Sequence, residues 1–175
     1  MKSPNWQRFG LGALKQWLRP SAALMLLRWG ATRAIRYRFD SAHPAGCSHH
    51  QKIVVIDNAF AVCGGIDMSS ARWDTPEHAD DDPRRVLPNG KPYTPWHDVT
   101  MLMDGAVAGA LADLGEDRWH RATGKHLGAI GAATPHWPTD IVPDFHDVDI
   151  AITRTRAKWR DYAEVREVEA LYLDM

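Results

Sequence analysis

A histidine and a lysine, His50 and Lys52, stand two residues apart at the start of an apolar, β-branched run at residues 53–56. Such a run predicts a buried strand, and side chains two apart on a strand share a face. A neutral imidazole is a competent nucleophile or general base, and an ammonium beside it neutralises charge that builds on phosphate oxygens. The pair therefore predicts phosphoryl transfer, although the tripeptide alone is more often a strand with a polar start.

Four further positions follow the pair. Asp57 lies an odd number of residues from both members, so an extended chain turns it to the opposite face, where it is placed to anchor the strand end. Gly64 and Gly65 remove Cβ atoms where the backbone must approach closely, and Asp67 closes the turn after them. A glycine bulge with no chemical role is the structural alternative for this turn.

Together these residues form the pattern H-x-K-x4-D-x6-G-G-x-D, which resembles the first catalytic motif of the phospholipase D superfamily. The likeness covers residues 30–123 and includes the segments 68–75 and 95–99. Many superfamily motifs carry Gly-Ser-x-Asn at the turn, whereas Gly65 and Asp67 stand here. This form is similar to the first motif of the larger phospholipase D enzymes rather than to that of the small nucleases.

The resemblance implies a role for each motif residue. His50 forms a phosphohistidine, while Lys52 and the two motif glycines hold the substrate, and Asp57 completes the catalytic motif. A carboxylate is expected to orient the imidazole through its second nitrogen. Asp67 and Asp74 are the two candidates for that carboxylate, with a preference for Asp74, and both have the alternative of ordering the turn.

An acidic run at residues 80–82 is the one segment that suggests a divalent cation. A solvated loop opposing Arg84 and Arg85 is the more common reason for such a run. The chemistry that the resemblance implies needs no metal and no cofactor, so we predict none.

Superfamily enzymes place two H-x-K motifs across a pseudo-twofold axis, one histidine attacking phosphorus and the other protonating the leaving alcohol. No histidine besides His50 has a lysine two residues on. We therefore expect residues 1–175 to be a single, incomplete catalytic lobe with its motif region at 48–74. The site is completed either by a second copy in a homodimer or by a missing second half.

The predicted elements give an α/β fold, one phospholipase D-like lobe with a mixed β-sheet flanked by helices. Strands are predicted at 53–56, 60–66, 98–103 and 148–153, preceded by a half-exposed strand at 33–39. A tight turn at residues 58–59 joins the first two into a hairpin. Helices are predicted at 105–121, with Asp104 as the N-cap, and at 164–175; the segments 68–95 and 124–147 are predicted loops. The order of the strands does not follow from the pattern.

The first 39 residues contain eight Lys or Arg and no acidic residue. They have two interpretations: a basic amphipathic face that lies on anionic lipid, or ordinary elements that cover the sheet. The apolar part is too short and too charged to span a membrane. With two cysteines and a formal net charge of −1, the chain is typical of a reduced cytoplasmic protein, with peripheral membrane contact as the open question.

Three functions are compatible with these patterns. The first is a phospholipase D-type phosphodiesterase that acts on phospholipids by hydrolysis or phosphatidyl transfer. The second is a catalytically inert lobe that lacks its other half. The third is a nuclease-type phosphodiesterase, for which a more basic composition is expected.

Overall fold

The computed structural model describes residues 20–67, 69–128 and 137–175. The chain divides into two compact units, Met1–Phe39 and Asp40–Met175. Within the described ranges, no helix is long and apolar enough to cross a membrane.

In the first unit, the described part is one helix, α1 (Pro20–Ala31), and the segment after it. The Tyr37 hydroxyl donates to the Leu26 carbonyl at 3.3 Å, and the Tyr37 ring meets Trp29 edge-on with centroids 6.0 Å apart. The strand predicted for residues 33–39 is wrong. Tyr37 packs on the end of α1 and Phe39 packs on Tyr37, and among the described residues no strand pairs with this segment to supply a ladder of hydrogen bonds.

The second unit is built on a three-stranded antiparallel sheet with the order β1-β2-β3. Its strands are β1 (Lys52–Ile56), β2 (Phe60–Gly64) and β3 (Thr100–Asp104). The predicted hairpin of the first two strands is confirmed. Asp57 and Asn58 form its turn with φ of 51° and 55°, a left-handed conformation that Asp and Asn tolerate better than other side chains.

Helix α2 (Ala106–Thr123) packs against one face of this sheet. The buried core is Ala61, Met103, Ala108, Leu111 and Leu114. The helix lies close to its predicted range, but the predicted N-cap is wrong. Asp104 still belongs to β3, so Gly105 occupies the cap position instead, and no side chain forms a capping hydrogen bond there.

A small second sheet pairs β4 (Thr155–Arg156) with β5 (Val165–Arg166), and α3 (Glu167–Asp174) follows directly. The strand predicted at 148–153 is wrong: the ladder begins at Thr155, where β5 supplies a partner. The α/β class is confirmed. The ladders between strands of the described ranges are all antiparallel, whereas the sequence predicted a mixed sheet.

Candidate active site

Strand β1 carries the His-x-Lys pair at its beginning. Lys52 is the first strand residue, and its Nζ donates to the His50 carbonyl at 3.2 Å. The same Nζ lies 3.3 Å from Oδ1 of Asp67. The Lys52 side chain is 17% exposed and that of Asp67 is 52% exposed, so the ammonium is held between a carbonyl and a hydrated carboxylate. The His50 residue itself is exposed. A charged donor is therefore fixed next to the backbone of an exposed histidine.

Asp67 lies where its carboxylate neutralises Lys52, and its carbonyl accepts from the Ser69 N–H at 2.8 Å. The Asp67 carboxylate therefore has Lys52 as its partner, and the Asp67 backbone carbonyl closes the turn after the motif glycines. Its expected alternative role, to orient the His50 imidazole, stays a prediction.

The two motif glycines pass closely by the segment that leads into β3. A Cβ on Gly64 would lie 2.5 Å from the Val99 carbonyl oxygen and 2.6 Å from Cα of Thr100. A Cβ on Gly65 would meet the carboxylate of Asp98, and the Gly65 N–H donates to the Val99 carbonyl at 3.1 Å. At Gly64 the close atoms include backbone, so only glycine fits there, and at Gly65 the Asp98 side chain would have to move.

Asp74 lies in a network that belongs to the long loop. Its Oδ1 accepts from the Thr75 N–H and from Nη1 of Arg85, both at 2.9 Å. Its Oδ2 accepts from the Trp96 N–H at 2.8 Å and contacts Nδ1 of His78 at 3.2 Å. Although burial raises the pKa of Asp74, these hydrogen bonds outweigh burial and hold it well below its usual range.

The partners of Asp74 are donors of the long loop and of Trp96, which follows it. Both carboxylate oxygens are occupied by donors of the loop, and the Arg85 side chain is only 1% exposed. Arg85 also donates to the carbonyls of Ala79, Asp80 and Tyr93. Asp74 thus ties several parts of the loop together, and its expected role as the carboxylate that orients His50 stays a prediction.

Asp57 occupies the hairpin turn at the other end of β1. It lies five positions after Lys52, roughly 17 Å along an extended strand. The structure therefore brings Lys52, Asp67 and the His50 backbone together and places Asp57 apart from them. The anchoring role of Asp57 at the strand end stays a prediction.

A second network, which the motif does not include, holds both neighbours of His50. Nε2 of His49 lies 3.0 Å from Oδ2 of Asp40, and Arg118 of α2 donates to the same oxygen at 3.2 Å. Arg118 also donates to Oε1 of Gln51 at 3.1 Å. Arg118 therefore holds Gln51 directly and His49 through Asp40, on either side of the candidate nucleophile.

The pKa shifts within this network are consistent with one charged and one neutral partner. Burial, reinforced by Arg118, lowers the pKa of His49 although Asp40 raises it. Burial raises the pKa of Asp40, but the Ala42 N–H, His49 and Arg118 together lower it by more, so the net effect is a pKa below the usual value. The carboxylate is thus ionised beside a largely neutral imidazole. The sequence carries no local signal for this network, because Arg118 lies 78 residues from Asp40.

A cavity of about 310 Å³ opens beside His50. His49 and His50 form one wall of it, and Arg121, Arg154 and Arg156 contribute to the others. In the part of the chain that the structure describes, no group of three or more His, Cys, Asp or Glu side chains could hold a metal ion. Within the acidic run at residues 80–82, Asp82 forms its ion pair with Arg84.

The sequence matches the family model described as Phospholipase D over residues 28–137, more than half of the chain. The chain belongs to the phospholipase D family. It is 29% identical to phospholipase D delta of Arabidopsis thaliana over 159 residues, which covers 79% of this chain and 17% of that protein. It is 32% identical to phospholipase D alpha 1 of Nicotiana tabacum over 106 residues, 46% of this chain and 13% of that protein.

The chain thus spans about a sixth or less of the length of these curated relatives. No solved structure matches it.

Proposed function

We propose that this chain supplies one half-site of a phospholipase D-type phosphodiesterase, with His50 as the nucleophile. The observation that carries the proposal is the accessible His50 beside a Lys52 ammonium that a carbonyl and the Asp67 carboxylate hold in place. Membership of the family and the names of the relatives favour a phospholipid as the diester.

The proposed reaction has two steps. In the first, an imidazole nitrogen of His50 forms a bond to phosphorus, the bond from phosphorus to the leaving alcohol oxygen breaks, and a general acid protonates that oxygen. In the second, water attacks the phosphohistidine, the nitrogen–phosphorus bond breaks, and a phosphomonoester leaves. An alcohol in place of water gives phosphatidyl transfer. Lys52 stabilises the negative charge on the non-bridging oxygens in both steps.

The general acid is proposed to be a second H-x-K histidine, that of a partner copy or of a further segment of a longer chain. The outer face of the sheet supports pairing. Val54, Ile56 and Leu102 lie on the face opposite to α2 and are exposed. Exposed apolar side chains on one sheet face are typical of a surface that another element covers.

We further propose that the protein is cytoplasmic and contacts the membrane surface through its basic first unit. Leu24, Leu27 and Trp29 of α1 are exposed apolar side chains, and Arg28 lies among them. Apolar side chains combined with basic ones bind anionic lipid surfaces.

The test is turnover of a chromogenic phosphodiester and of phosphatidylcholine vesicles by material whose mass is measured by light scattering. His50→Ala should reduce turnover to background, whereas His146→Ala, which removes an exposed histidine of the loop before β4, should keep wild-type turnover. A folded wild type without turnover in any size fraction would make the chain an inert lobe. Cleavage of DNA without cleavage of lipid would assign it to the nucleases.

A further inference from the structure

The cavity beside His50 has walls from three parts of the second unit. Arg121 comes from α2, Arg154 and Arg156 come from β4 and the residue before it, and His49 and His50 come from the segment before β1. These residues lie far apart in the sequence, and none of the three arginines belongs to the H-x-K motif. The cavity volume of about 310 Å³ is at the lower end of the range for small-molecule sites.

The charges at this cavity do not balance. Asp117 is shared by two of the arginines, with its Oδ2 2.7 Å from Nη2 of Arg121 and 3.8 Å from Nη1 of Arg156. Arg154 donates to both carboxylate oxygens of Glu167. Three guanidinium groups therefore have two carboxylates as ion-pair partners among the described residues.

Arg156 is the least committed of the three cations. Its ion pair with Asp117 is long, its Nη2 donates to the Ala163 carbonyl at 3.0 Å, and its Nε is buried without a hydrogen-bond partner. Arg121 is 5% exposed and close to Asp117, and Arg154 is bound at two points to Glu167. A buried N–H without an acceptor is costly, so an acceptor that arrives with a ligand is favoured.

We propose that this cavity is a binding site for an anionic group, a phosphate or carboxylate carried by the substrate next to the phosphodiester that His50 attacks. Planar guanidinium groups bind both kinds of oxyanion at two points. The proposal that the anion belongs to the substrate rests on the proposed function. The anion site itself does not, because binding requires no turnover.

The first arm of the test measures binding of inorganic phosphate to the full chain by calorimetry. Arg156→Gln should weaken binding about tenfold, the loss of one charge-assisted contact. Arg166→Gln is the matched control. Arg166 is an exposed arginine of the neighbouring strand β5 and does not itself line the cavity, so its substitution should leave binding unchanged.

The second arm identifies the source of the anion. Glycerophosphoserine and glycerophosphoethanolamine differ by one carboxylate, so the serine diester should bind about tenfold more tightly, and Arg156→Gln should remove the difference. Equal affinity of the two diesters, with phosphate still bound, would overturn the assignment to a substrate group.

A third measurement needs no substitution in the cavity. Phosphate titrated into the wild type should shift the NMR signals of buried arginine Nε–H groups, and Lys52→Gln should not prevent the shift. Phosphate binding that Lys52→Gln abolishes and Arg156→Gln leaves intact would place the anion at the H-x-K pair. That outcome, or no phosphate binding at all, overturns the proposal, whereas loss of turnover alone would overturn only the proposed function.

Discussion

At the scale of single residues, the distinguishing feature of the site is how Lys52 is held. Its ammonium has two oxygen partners, the His50 carbonyl and the Asp67 carboxylate, and the carboxylate is half exposed. Water screens such an ion pair, so its contribution to positioning is modest, whereas in the proposed mechanism the positive charge of Lys52 acts directly on the substrate. The two residues are therefore expected to matter to different degrees.

Substitution of the two partners should reveal this difference. Lys52→Gln should lower the turnover of a chromogenic diester by about 10²–10³-fold, because it removes the charge that stabilises the transition state. Asp67→Asn should lower it by only about tenfold, because the ammonium keeps its carbonyl partner. Asp140→Asn, in an exposed turn, is the control. An Asp67→Asn loss as large as that of Lys52→Gln would contradict the positioning role and indicate direct participation of the carboxylate.

Asp74 gives a prediction about acid. Its pKa lies well below its usual value because of the Thr75 and Trp96 N–H groups, His78 and Arg85, which outweigh burial. Asp82 has its pKa lowered to about 2 by Arg84. A carboxyl with a depressed folded pKa stabilises the protein fully above its unfolded pKa, near 4, and this contribution is lost as the pH falls towards the folded pKa.

Stability is therefore expected to fall between about pH 4 and pH 2, with the long loop responsible for part of the loss. Asp74→Asn should be less stable than the wild type at pH 7 and should lose less stability on acidification, as measured by urea unfolding midpoints. Unfolding midpoints of the variant and the wild type that fall in parallel with pH would exclude Asp74 as a source of the acid sensitivity.

At the scale of elements, a glycine, Gly64, allows the close approach of the hairpin to β3. A Cβ at Gly64 would collide with the Val99 carbonyl and with the Thr100 backbone, and backbone atoms cannot move aside as a flexible side chain does. The close approach also fixes the distance between the motif loop and the sheet. The requirement for glycine is thus a packing requirement, separate from any contact with a substrate.

Gly64→Ala should destabilise the protein by about 1–3 kcal/mol through overpacking. The matched control is Gly115→Ala in the interior of α2, where a Cβ meets nothing within 4 Å. That substitution should stabilise the protein by about 0.5–1 kcal/mol, the difference in helix propensity. Chemical denaturation measures both. Equal effects of the two substitutions would show that the close approach at Gly64 has no energetic weight.

At the scale of the whole molecule, the question is whether two copies share one site. His50 is the one histidine of the sequence with a lysine two residues on, and the outer sheet face is apolar and exposed. If each site needs His50 from both copies, one as the nucleophile and one as the acid, then a mixed dimer is inactive. Two identical half-sites around a twofold axis satisfy this requirement.

An equal mixture of wild type and His50→Ala, exchanged to equilibrium, should then have about a quarter of the turnover of the same total amount of wild type, because random pairing leaves about a quarter of the dimers intact. A mixture with His146→Ala should keep full turnover. A value of one half for the His50→Ala mixture would mean that each copy acts independently and would contradict the shared site.

The local pattern of residues predicted much of this protein. The hairpin of β1 and β2 and helix α2 follow from short-range periodicity and turn chemistry, which depend on neighbours in the chain. The H-x-K pair and the motif glycines were recognisable for the same reason. Their residue types and spacing resemble the first catalytic motif of the phospholipase D family, to which the chain belongs.

Tertiary contacts decided the rest. The segment 33–39 alternates like a strand but packs on α1, and the fourth strand begins at Thr155 because that is where β5 provides a partner. The Asp40–Arg118 contact beside His50 spans 78 residues, and the cavity arginines come from α2 and β4. A strand needs a partner and a buried charge needs a counter-charge, and neither is specified by the residues next to it in the chain.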